Sequence, residues 1–315
     1  MHPALSVIIF TTSSGAGYGM LFWLGVCAAA NRLPAHSWFA PASLTLALVA
    51  VTIGLLSSTL HLGHPERAWR AFSQWRSSWL SREGVISVAT CVPAVIFWLA
   101  LLLRPDDRAL TEVSGGLAAL GAVLTVICTA YIYRSLKPVQ RWANSWVPAG
   151  YLALAAMTGA LWLSALSAFF DADSWMFETL AAVLIVPALS IKLGYWRFID
   201  TTSSISTPES ATGLGRIGRV RLLDPPNTSE NYLMKEMGFR IARKHAARLR
   251  RIALIAGFVM PLLLEIATLL AGRELSIPLS ASAALFATFG ILIERWLFFA
   301  EAKHTVMLYY GAENA

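Results

Sequence analysis

The chain has 315 residues, 57% of them hydrophobic and only 14% charged, against roughly 25% charged in an average soluble domain. With a mean hydropathy of +0.60, that composition excludes an ordinary soluble domain and identifies an integral membrane protein. The net charge of +7 would suit nucleic acid, but Lys and Arg fall between apolar stretches, so they read as orientation signals and as contacts to lipid headgroups or an acidic partner.

A helix needs roughly 20 apolar residues to cross a bilayer. Eight stretches qualify: about 5–30, 41–62, 84–104, 112–133, 148–170, 176–198, 250–271 and 279–301. The predicted fold is an all-α integral membrane protein, a bundle of eight transmembrane helices forming a single anchor domain over 1–315. A short interfacial helix and one long basic loop complete it. The start of the chain, HPALS at 2–6, lacks the basic region of a cleaved signal, so the first span is expected to stay in place.

That first span carries SSGAGYG at 13–19, where Gly15 and Gly19 stand in small-xxx-small spacing. Such a stripe lets helix backbones approach closely, or lets a ligand ring do so. Cys27, Cys91 and Cys128 each lie in a different apolar segment with no second Cys or His at ligand spacing. They read as packing residues, and no iron–sulfur or zinc site is encoded.

After the second span comes the stretch around which the chain is organised, SSTLHLGHPERAWRAFSQWRSSWLSREG at 57–84. Trp69, Phe72 and Trp79 recur at helical spacing, with Arg70, Arg76 and Arg82 between them, as in a short helix lying in the headgroup layer. His61 and Glu83 bracket it. An imidazole ending a span can donate to or accept from a quinone carbonyl and exchange protons near neutral pH. A carboxyl opening the next span can relay the protons that quinone chemistry needs. The same positions also suit a plainer role, His61 capping helix carbonyls and Glu83 sitting near a positive helix start. His64, Arg67 and Arg82 could orient headgroup oxygens, and Trp69 and Trp79 could flank a ring, or all five could simply face lipid and water.

Further along, the 104–108 connection is short and charge-balanced, that from 134 to 146 is basic, and Asp171 to Asp173 makes an acidic turn. The longest break, 200–248, begins Ser/Thr-rich and turns basic and helix-like from Glu230. It is too short for an enzyme domain and reads as an extramembrane docking loop. Gly213, Gly215 and Gly218 match G-x-G-x-x-G, but a Ser/Thr/Pro run precedes them and no βαβ unit fits, so nucleotide binding is set aside. Lys192, Glu265 and Glu294 lie inside apolar segments, where ionisable groups face the bundle interior. Glu265 is the better proton-path candidate, and Glu294 and Arg295 read as a pair near the end of the eighth span. A haem would need buried axial ligands, and His2, His36, His245 and His304 sit at termini, loops or a helix end; no haem is predicted.

Eight spans put both termini and the second, fourth and sixth connections on one side. That side carries 20 of the 25 Lys and Arg residues and the other side four, so the first is expected to be cytoplasmic. A basic face built for an acidic partner would give the same count. A transporter is disfavoured, because no internal repeat is visible and the ionisable residues gather at the edge.

HPALS at 2–6, SSGAGYG at 13–19, HLG at 61–63, RAWRA at 67–71 and above all SWLSREG at 78–84 resemble the membrane anchor subunit of the dimethyl sulfoxide reductase family. The resemblance covers most of the chain. It implies a haem-free, eight-helix anchor in a bacterial cytoplasmic membrane, holding a molybdopterin catalytic subunit and a four-cluster iron–sulfur subunit. Those partners would carry the molybdopterin and the clusters, while the anchor exchanges electrons with ubiquinone or menaquinone. The family's quinol-site His and Glu fall on His61 and Glu83. The loop segments STPESATGLG at 206–215 and NYLMKEMGFRIARKHA at 231–246 look like those of the sulfite-oxidising branch, which faces the cytoplasm and reduces quinone. The alternatives are a quinol-oxidising reductase anchor and a passive anchor without a quinone site.

Overall fold

The computed structural model describes residues 3–34, 38–60, 62, 64–172, 174–203, 206–224, 226–237 and 241–313, with the side chains of 174 and 241–244 left aside. His61 lies outside the described residues. The spans form helices α1 (Leu5–Ala29), α2 (Phe39–Thr59), α3 (Trp79–Leu103), α4 (Arg108–Arg134), α5 (Trp146–Phe170) and α6 (Ser174–Thr201). Two short loop helices follow, α7 (Pro208–Thr212) and α8 (Tyr232–Met237). The seventh span joins α9 (Ile241–Leu254) to α10 (Met260–Leu270), and α11 (Arg273–Ala300) is the eighth. All eight spans are long and apolar enough to cross a membrane, and the chain is a multi-pass membrane protein.

Local chemistry sets several boundaries. The Ser78 and Asp107 side chains accept from the backbone N–H of Ser81 and Leu110 and so start α3 and α4. Asp171, left-handed at φ 57°, ends α5 and meets Arg273 at 2.8 Å, closing the acidic turn against the start of α11.

Helix α1 is central and packs on α2, α4, α5 and α11. Of the small residues expected to allow this, Gly19 lies on the backbone of Ala155 and Gly159 in α5, where any Cβ would collide. Gly15 does not take part, since a Cβ there would meet open space. The expected stripe is therefore a contact at one residue and a gap at the other. In the seventh span a π turn at Ile255–Val259 precedes Pro261, whose missing N–H breaks the regular ladder. Gly257 there meets Gly290 of α11 backbone to backbone.

The interfacial segment is a 3₁₀ helix, Pro65–Gln74, with no buried residue. It folds over the start of α3. The Ser81 hydroxyl donates to the Ala71 carbonyl, and Phe72 covers Gly84 so closely that a side chain at 84 would displace its ring. Because α3 begins at Trp79 rather than at 84, Glu83 sits in its second turn and not at its mouth.

The long loop is tied to its own side of the bundle. Gln140 donates to the Ser203 carbonyl at 2.9 Å, the Tyr309 hydroxyl to the Ala211 carbonyl at 2.9 Å and Asn231 to the Tyr310 hydroxyl at 3.1 Å. At the same end Trp142, from the connection after α4, dips into the bundle among Tyr133, Tyr151, Phe298 and Phe299 and donates to the Phe298 carbonyl. Gly213 is the left-handed C-cap of α7. The glycine pattern at 213–218 thus follows a helix, not a strand, which removes the context a dinucleotide would need.

Candidate functional site

Once capped by Ser78, α3 turns Ser81, Glu83, Ser87 and Thr90 inward, a polar stripe that its buried face continues with the apolar Ala94, Phe97 and Ala100. Glu83 is 5% exposed. The Thr129 hydroxyl of α4 donates to its Oε1, and among the described residues Glu83 has no ion-pair partner. Above it, Trp79 packs on Tyr131 with ring centroids 4.6 Å apart, and the Arg82 guanidinium lies 4.3 Å from the Trp79 ring. Arg82 is fixed by donating to the carbonyls of Trp75 (2.9 Å) and Arg76 (2.6 Å), while Arg134 holds the Tyr131 hydroxyl at 2.7 Å. The result is a buried acid under an aromatic and cationic roof.

Of the sequence candidates, Glu83, Trp79 and Arg82 come together. Arg67 and Trp69 stay on the exposed 65–74 segment and His64 just before it, His64 and Arg67 pairing with Glu66 and Trp69 with Arg70. Sequence reasoning missed Thr129, Tyr131 and Arg134. Their only signal is polarity near the end of a span, on the face shared by Thr125 and Thr129.

A second polar centre lies deeper. Lys192 of α6 and Arg295 of α11 both bind Glu294, the latter at 2.5 Å, and all three are buried. The expected pair is thus a three-membered cluster inside the bundle, so Arg295 does not count among the loop charges. Lys192 lies 4.3 Å from the Tyr195 ring and Arg295 4.4 Å from the Tyr151 ring. Outward from it, Arg250 bridges Asp200 at 2.6 Å and Glu301 at 2.7 Å. Glu265 sits in the opposite half of the bundle, accepting from Ser164 at 2.9 Å, with its other oxygen unpartnered among the described residues.

Between Glu83 and the cluster lies a cavity of ≈ 20 Å³, lined among others by Thr12, Tyr18, Thr129, Tyr151, Thr158 and Arg295. The hydroxyls of Thr12, Tyr18 and Tyr151 are buried without a hydrogen-bond partner among the described residues. Each such group left dry is destabilising by about 1–3 kcal/mol. A lipid-side cleft of ≈ 300 Å³, walled by Phe22, Trp23 and Val123, reaches the same Tyr18.

The DMSO reductase anchor subunit (DmsC) family matches residues 1–311. A sulfite dehydrogenase subunit from Allochromatium vinosum is 34% identical over 328 residues, spanning 98% of this chain and 99% of the relative. A polypeptide of the anaerobic dimethyl sulfoxide reductase of Escherichia coli is 28% identical over 143 residues, 45% of this chain and 48% of that one. The structure of bd oxidase from Geobacillus thermodenitrificans superposes with a TM-score of 0.60 at 12% identity, spanning 99% of this chain and 90% of that one, a likeness of fold alone. With the family match and a relative that both run nearly end to end, the chain belongs to the DMSO reductase anchor subunit (DmsC) family.

Proposed function

We propose that this chain is the membrane-anchor and quinone-binding subunit of a molybdopterin and iron–sulfur oxidoreductase complex. In this reading it passes electrons between the iron–sulfur partner and the quinone pool, in the direction of sulfite oxidation and quinone reduction, and carries no haem of its own. The observation that carries it is Glu83, buried in the second turn of α3, held by the Thr129 hydroxyl alone among the described residues, beside Trp79, Arg82 and Tyr131. Reducing a quinone takes protons as well as electrons. A carboxyl with no ion pair to break can give one up, Thr129 fixes its orientation, and the indole and phenol planes suit a flat ring. His61 is assigned the second carbonyl contact on the strength of the 57–84 stretch.

The full-length similarity to a sulfite dehydrogenase subunit supports the direction. The charge bias supports a cytoplasmic placement of the basic side and of the termini. The 200–248 loop is assigned to docking the iron–sulfur subunit, with the molybdopterin subunit beyond it. Its Arg216, Arg219 and Arg221 are exposed, and so is the apolar Leu223, at 100%. Exposed apolar side chains among cations are what a partner surface covers.

The test is to purify the intact complex and assay sulfite-dependent quinone reduction beside quinol-dependent sulfoxide reduction. Sulfite activity alone is the expected result. Sulfoxide activity alone would establish the second reading, a quinol-oxidising reductase anchor, which the similarity to the Escherichia coli protein favours. His61→Ala and Glu83→Gln should abolish quinone-linked turnover while assembly and artificial-acceptor activity persist. Normal quinone reduction by both variants would leave a passive anchor.

A further inference from the structure

We propose that the cavity between α1, α4, α5 and α11 holds water and joins Glu83 to the buried Lys192–Glu294–Arg295 cluster, giving the carboxyl a proton route through the bundle interior. The inference rests on the reading that Glu83 serves quinone chemistry.

Thr129 connects the two ends, because its hydroxyl is bonded to Glu83 and its side chain lines the cavity. Arg295, which binds Glu294, lines the same cavity. Between them stand the three hydroxyls of Thr12, Tyr18 and Tyr151, each more than nine-tenths buried and lacking a partner among the described residues. A space of ≈ 20 Å³ exceeds the roughly 10–15 Å³ that one water needs, and a buried water makes about 2–4 hydrogen bonds, the number of partners this wall offers. Hydroxyls and water both accept a proton at one lone pair and release another, so the tract can conduct.

The proposed entry to the route is on the basic side. At the ends of α6, α9 and α11, Arg250 with Asp200 and Glu301 marks where the cluster's helices reach the basic side. The aromatic group of Tyr133, Trp142, Phe298 and Phe299 covers the bundle end between them. Each proton that Glu83 gives to a reduced quinone is then replaced by one taken from cavity water through the Thr129 hydroxyl. One proton enters the tract from the basic side in turn, with no heavy-atom bond made or broken.

Gly15 allows a clean test. It lines the cavity, lies in regular helix and has nothing within 4 Å of where a Cβ would stand. In the purified complex, Gly15→Val should expel the water. We expect quinone-linked turnover to fall about tenfold or more, in line with the loss of an acid–base relay. The KM for a short-chain quinone and the dye-linked activity should stay at parent values, and the solvent deuterium effect on turnover should rise. Thr12→Val, which removes a hydroxyl without adding bulk, should shift turnover and isotope effect the same way and serves if Gly15→Val does not assemble. Parent-like quinone turnover and isotope effect in these variants, or a dry cavity in a cryo-electron microscopy map of the complex, would overturn the route. Run in parallel, Glu83→Gln separates the two readings. If it abolishes quinone turnover while the cavity variants do not, the route alone fails; if it too is normal, the site itself is wrong.

Discussion

Glu83 and Glu294 are both buried carboxyls near the same end of the bundle, yet they are held in opposite ways. Glu294 lies between Lys192 and Arg295, and removing its charge would strand two cations in a medium that cannot solvate them. Among the described residues Glu83 is held by one neutral hydroxyl, so taking or giving a proton breaks no ion pair among them. The difference separates a group that keeps helices together from one placed to change state during turnover. A buried charge alone does not mark a reactive site; the number of fixed counter-charges around it is the better guide.

The comparison predicts a ranking of stabilities. Glu294→Gln should have the largest effect, about 3–5 kcal/mol, visible as a sharply lower melting temperature of the detergent-solubilised complex. A parent-like melt would show that the cluster is not structural. Thr129→Val should follow at about 1–3 kcal/mol, because it strands the Glu83 carboxyl, and Thr129→Ser should recover most of the loss. Glu83→Gln, which keeps an acceptor for Thr129, should be destabilising by only about 0.5–1.5 kcal/mol while quinone-linked turnover disappears. A melt as low as that of Glu294→Gln would erase the distinction.

A half-buried loop carboxyl supplies the last and smallest contrast. The carboxyl of Glu209 in the loop accepts from the Val220 N–H at 3.1 Å, and its own backbone N–H, the nearby Thr207 side chain and that Val220 bond hold its pKa below the usual carboxylate value. A depressed folded pKa means the contribution is complete above about 4.3, the ordinary Glu value, and fades as pH falls through the lowered one. Limited proteolysis of the loop should therefore be unchanged between about pH 7 and 5 and quicken only under stronger acid. Quickening near neutrality would show that another group holds it.

The sequence made the architecture readable because a bilayer demands long apolar runs, and no other element competes for them. It also marked Lys192, Glu265 and Glu294, since a charge inside such a run is conspicuous, and it marked Glu83 as the acid closing the 57–84 stretch, at the mouth of a span whose first turn it did not see. What it hid is partnership. Thr129 stands 46 residues from Glu83 and Lys192 102 from Glu294, and a threonine on an apolar helix carries no periodic signal of what it faces. The Gly15 and Gly19 spacing likewise announced a close approach without saying which glycine makes it, since that depends on how α1 is rotated against α5. The 65–74 segment was readable as interfacial from its Trp and Arg content. Its 3₁₀ winding and its seat on Gly84 depend on contacts to α3 that no local pattern records.

The clasp of Tyr309 and Tyr310 on Ala211 and Asn231 bears on how this protein can be handled. The 305–310 turn is a strap across the basic loop, so replacing residues 305–310 would unlace that surface while leaving every span intact. A tag appended beyond residue 313 leaves both tyrosines in place. Partner subunits lost during isolation of a trimmed protein would then report the missing strap, not a weak native interface.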